Sequence, residues 1–140
     1  MKPIIKYTAK TPTLIGYIAL VSIGLLLIIG RWYSGLNDSF VLFNAEITSH
    51  ITNFTLSMLL YLMVGYFWML MGAKFRMITV FGVVLIIANF ICEVFVSYLN
   101  TLDIMDAVYG VGGVLVAFVF LYISNKYGLI ENSAEKNSME

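Results

Sequence analysis

Charge is what this chain has least of. Of its 140 residues, 11% are Asp, Glu, Lys or Arg, against about 25% in an ordinary soluble domain. Residues of hydrophobic type make up 61%, and the mean hydropathy is +0.93. There are too few charges to coat a water-exposed globule of this length, and one compact bundle is the natural expectation for so short a chain. Net charge is zero, which gives no sign of a nucleic-acid partner. Cys92 is the only cysteine, excluding an intrachain disulfide and a cysteine-based zinc site. No G-x-S-x-G nucleophile motif occurs, no cofactor is implied, and no internal repeat suggests an inverted duplication. After Lys2, Lys6 and Lys10, the apolar stretch 14–29 lacks an A-x-A-like cleavage site. It is therefore expected to be a retained first span rather than a signal peptide.

What the chain has is long apolar runs. Crossing the hydrocarbon core takes about 20 apolar residues, and the stretches 13–30, 51–73, 77–98 and 104–124 qualify. The third has a β-branched section (Val80, Val83, Val84, Ile86, Ile87). In lipid only helices and closed barrels satisfy the backbone, and these runs are too long and continuous for barrel strands. The expectation is an all-α, polytopic membrane protein: a four-helix transmembrane bundle over 1–125, then a polar, disordered tail over 126–140.

Basic residues set the orientation. With the N-terminus inside, Lys2, Lys6, Lys10, Lys74, Arg76, Lys126 and Lys136 are cytoplasmic, and only Arg31 is outside. Both termini are then cytoplasmic in a multi-pass protein of the cell membrane. Short turns around Lys74–Arg76 and Asn100–Asp103 imply antiparallel neighbours. The segment Arg31–Ser49, with Trp32, Tyr33, Phe40 and Phe43, is expected as a loop along the membrane surface.

This topology gathers Asp38, Glu46, Glu93, Asp103, Asp106 and His50, the only histidine, toward the outer side. Glu46 and His50 are at i, i+4, and share a helix face if the second span starts before Ile51. Asn53 and Ser57 continue that face. Asn89 lies one turn from Glu93. A carboxylate at membrane depth costs on the order of 3 kcal/mol and faces the bundle interior or a wet cavity. The simplest geometry places Glu46, His50, Asn53, Asn89, Glu93, Asp103 and Asp106 around one outward pocket. Asp103 can instead cap the fourth helix, while Asp38 reads as a solvated loop charge. Glu93 fits neither description. It is expected to be protonated or hydrogen-bonded to Asn89 or His50. Gly110, Gly113 and Ala117 give the fourth span a small-residue face for close helix packing.

At these residues the sequence resembles the VanZ family of membrane proteins, named for low-level teicoplanin resistance. Glu46, His50 and Phe54 match the opening of the family's second span, and Glu93 its late glutamate. Asp103, Asp106, Gly110 and Gly113 match its acid-acid-asparagine-glycine row. Departures are Val96 for a glutamine, Asn100 and Thr101 where an arginine is usual, Gly110 for the asparagine, and Glu46 for an aspartate. The resemblance spans about Glu46 to Ala117. It implies a bacterial inner-membrane protein with an outward polar site, tied to glycopeptide or cell-envelope stress.

Four functions follow as expectations. The first is binding, without catalysis, of a glycopeptide, a lipid-linked cell-wall intermediate or a cationic ligand. The second is a membrane enzyme using Glu93 and His50 as base and acid. The third is a divalent-metal site, with carboxylates favouring a hard cation. The fourth is an accessory subunit of a larger membrane complex.

Overall fold

In a computed structural model, residues 5–36, 44–96 and 103–132 are described, without the side chains of 94–96. The elements in chain order are β1 (Tyr7–Ala9), α1 (Thr11–Leu36), α2 (Ala45–Leu70), α3 (Phe75–Val96), α4 (Ile104–Tyr127) and β2 (Leu129–Glu131). All four helices are long and apolar enough to cross a membrane.

Helices α1, α2 and α3 begin before the apolar stretches, and α1 and α4 run past them, because helix geometry needs no apolar residue to continue. Helix α2 ends at Leu70, short of the expected 73. Trp32 and Tyr33, expected in a loop, belong to the end of α1. Asn44 starts α2, its side chain accepting from the Ile47 N–H at 2.7 Å. That cap satisfies one of the orphan donors of a helix start. At the other end of α2, Gly72 adopts φ 82°, a conformation suited to glycine that turns the chain toward α3. The loop residues Asp38, Phe40 and Phe43, the turn residues Asn100 and Thr101, and the tail from 133 onward lie outside the described residues.

Helix α2 is the central element. In its most apolar window 44% of residues are buried, against 11% for α1 and α3. Its core side chains Met58, Tyr61, Leu62 and Met69 meet Val114, Ala117 and Leu121 of α4 and Ile78 of α3. On its other flank, Tyr66 stacks on Tyr17 of α1 with centroids 4.1 Å apart. Leu14, Ile18, Leu25, Leu26, Val80, Val84, Leu115 and Val119 point outward, the pattern of helices whose outer faces meet lipid. Several polar groups within the helices are satisfied internally, while the buried Tyr66 hydroxyl has no partner among the described residues. Tyr61 donates to the Ile78 carbonyl at 3.0 Å, while the Thr55 and Thr79 hydroxyls donate to carbonyls four residues back, as ordered hydroxyls in helices do.

The segment after the fourth apolar stretch also departs from the sequence expectation. Residues 126–132 are not disordered: α4 runs to Tyr127 and β2 pairs antiparallel with β1, Thr8 opposite Ile130. The ribbon is tied to the bundle by Lys6 N–H donating to Leu70 O at 2.9 Å and Lys10 N–H to Gly128 O at 2.8 Å. The first bond satisfies a terminal carbonyl of α2. The pairing places the segments flanking α1 and α4 at the same end of the bundle. Lys6, Lys10, Lys74, Arg76 and Lys126 lie at that end. Arg31, Glu46, His50, Glu93, Asp103 and Asp106 lie toward the opposite one.

Candidate functional site

The site forms where the start of α2 meets the start of α4. Because α2 begins at Ala45, His50 sits in its second turn, buried against α4. Asp103 is the N-cap of α4, its side chain accepting from the Met105 N–H at 3.1 Å. Asp106 lies in the first turn of α4. Close approach of the two helices is possible because of Gly113. A Cβ there would run into the Phe54 backbone carbonyl of α2, so any side chain would drive α4 away. Gly110 abuts Asn89 of α3, and Ala117 is fully buried one turn further along.

His50 is held between two carboxylates. Its Nδ1 lies 2.7 Å from Asp106 Oδ1, and its Nε2 lies 3.8 Å from Asp103 Oδ2. An ionised carboxylate only accepts, so the short contact assigns a hydrogen to Nδ1. The longer one exceeds hydrogen-bond distance. The imidazole is 10% exposed, Asp106 30% and Asp103 49%, so the site is sealed on the α2 side and open past Asp103. Tyr109 lies against the imidazole, with ring centroids 5.2 Å apart.

Glu93 bonds neither of the two partners expected for it. Its Oε1 accepts the backbone N–H of Asp103 at 2.9 Å, rather than bonding Asn89 or His50. It thus steadies the N-cap residue of α4 from across the α3–α4 connection, a nonlocal contact invisible to sequence spacing. Asn89 instead accepts from Ser57 Oγ at 3.0 Å and donates to Leu85 O at 2.9 Å, clamping α2 to α3 deeper in the bundle. Asn53 is half-buried one turn beyond His50. Glu46 shares the helix with His50, as its spacing anticipates, but is exposed in the first turn and makes no bond to the imidazole. The structure therefore joins His50, Asp103 and Asp106 directly, attaches Glu93 through the Asp103 amide, and leaves Glu46 aside.

Sequence reasoning missed Tyr109. The signal available was its place three residues after Asp106, adjacent on a helix surface. Among the described residues, His50, Asp103 and Asp106 also form the group able to hold a metal ion, each offering one ligand atom, all within 4.8 Å of one another. In that arrangement Asp106 would orient the imidazole through Nδ1–H and leave Nε2 to face the ion, the usual use of a carboxylate behind a histidine ligand.

No family profile, curated protein or solved structure matches this chain. The likeness to the VanZ family rests on residue spacings alone.

Proposed function

We propose that this is a multi-pass protein of the bacterial cell membrane, both termini cytoplasmic, that binds a cationic group of an envelope-side ligand at His50, Asp103 and Asp106 without transforming it. The observation that carries the reading is the His50–Asp106 pair at 2.7 Å with Asp103 beside the open Nε2. The pair fixes a buried ring while leaving an exposed carboxylate for a ligand. The orientation is supported by the basic residues gathered at the ribbon end of the bundle. The ligand class that fits best is the amine of a glycopeptide or of a lipid-linked cell-wall intermediate, which the VanZ resemblance also favours.

In the source strain, deleting the gene is expected to increase susceptibility to teicoplanin. Complementation with the unsubstituted gene or with E46Q restores resistance, and complementation with D106N does not. Unchanged susceptibility on deletion contradicts the reading. Maleimide labelling in a C92A background checks the topology: a cysteine placed at Glu46 reacts from outside intact cells, and one placed at Lys126 does not.

A second reading is favoured by the grouping of the three ligand atoms. A divalent cation held by Nε2 and Asp103, with Asp106 orienting the ring through Nδ1–H, would make the same site a metal centre. Elemental analysis of the purified protein tests it: a stoichiometric metal lost in D103N supports the metal centre, and its absence removes it.

A further inference from the structure

At the opposite end of the bundle, Trp68 of α2 and Phe81 of α3 stand 5.4 Å apart, forming the wall of an open groove of about 400 Å³. Met77, Val80 and Val84 continue the groove along α3, and Arg76 is its one charged residue. Arg76, Val80 and Val84 follow one another at i, i+4 spacing, so they form a single row on the helix. The row spans about 12 Å, close to half of a hydrocarbon core of about 30 Å. Arg76 is the second residue of α3, a helix with no acid in its first turn, so the positive end of the helix dipole adds to its guanidinium. Lys74 is exposed immediately before it.

We propose that this groove binds one anionic phospholipid, its phosphate on Arg76 and its upper acyl carbons against Phe81, Val80 and Val84. The inference rests on the helices crossing a bilayer, and not on the function of the histidine site. Charge complementarity and length select the occupant. A guanidinium can bind phosphate oxygens through paired donors, and the groove below it is apolar over about 10 Å, most of the depth of one leaflet. A tryptophan at the rim suits the headgroup level.

The test uses Trp68 fluorescence in W32F protein, reconstituted in phosphatidylcholine vesicles containing brominated phosphatidylglycerol or brominated phosphatidylcholine. Brominated phosphatidylcholine should quench Trp68, reporting insertion itself. The anionic lipid should associate about fivefold more strongly, the factor corresponding to about 1 kcal/mol for a basic residue at the surface. R76Q should bring that ratio to about one, and K74Q should leave most of it. Equal association of the two lipids with the W32F protein overturns the proposal, as do equal losses in R76Q and K74Q. If R76Q does not insert, phosphatidylcholine quenching disappears. Competition of the W32F signal by unbrominated phosphatidylglycerol against phosphatidylcholine then decides, equal competition overturning the proposal.

Discussion

The two ends of this bundle both concentrate charge, yet they are built on different principles. At the ribbon end the backbone does the holding: Lys6 N–H to Leu70 O, Lys10 N–H to Gly128 O and Asn132 N–H to Lys6 O. The cationic side chains of Lys10, Lys74, Arg76 and Lys126 are left exposed. At the other end the charged side chains are themselves the connections. Asp106 holds His50, and Glu93 holds the amide of Asp103, the N-cap of α4. A charge left outside a fold acts on whatever surrounds the protein, whereas a charge bonded inside it shapes a site. The difference puts the candidate site at the His50 end and leaves exposed basic side chains at the ribbon end.

Substitutions that separate the two ends should differ in size. The largest effect is expected for G113L, which places a side chain against the Phe54 carbonyl and forces α4 off α2. Overpacking of this kind costs about 3 kcal/mol, seen as a lowered unfolding midpoint in detergent together with loss of the His50–Asp106 contact. Next is D106A, which leaves His50 Nδ1–H without its acceptor. Losing one partner of a part-buried hydrogen bond costs about 1–2 kcal/mol. E46Q, at an exposed position, should lie within about 0.5 kcal/mol of the unsubstituted protein.

A smaller effect is expected at the ribbon. I130P removes an N–H from the strand paired with Thr8, and backbone proton exchange at Lys10 and Asn132 should accelerate while the His50 environment stays unchanged. A site response to I130P would show that the two ends are coupled. Comparably small is N89A, which removes the Ser57–Asn89 bond. Interhelical hydrogen bonds of this type average about 0.6 kcal/mol in membranes, measurable as a slight shift of the same midpoint.

The sequence made the helices legible because lipid thickness demands long apolar runs, and four such runs stand out. It placed the ends less well. Helix α1 continues through Trp32 to Leu36, and α2 starts at Ala45 on the Asn44 cap, since termini are set by caps and not by hydropathy. The ribbon was hidden because Tyr7–Ala9 and Leu129–Glu131 are each three residues long, too short to display a period. Its partners lie at opposite ends of the helical region. At the site, Asp103 was legible as a cap because capping is local. Glu93 was not, because the amide it accepts is ten residues further along the chain, at the start of the next helix. Helical spacing placed Glu46 on the same helix as His50, but spacing says nothing about where the partner helix ends, and Glu46 lies exposed in the first turn.

The single histidine makes the site directly observable. In protein carrying no histidine tag, the side-chain nitrogen-15 spectrum reports His50 alone. Geometry predicts a hydrogen on Nδ1, bonded to Asp106, with the Nδ1 signal moving more in D106N than in D103N. An Nδ1 without hydrogen, or an imidazole indifferent to D106N, would contradict the site as described.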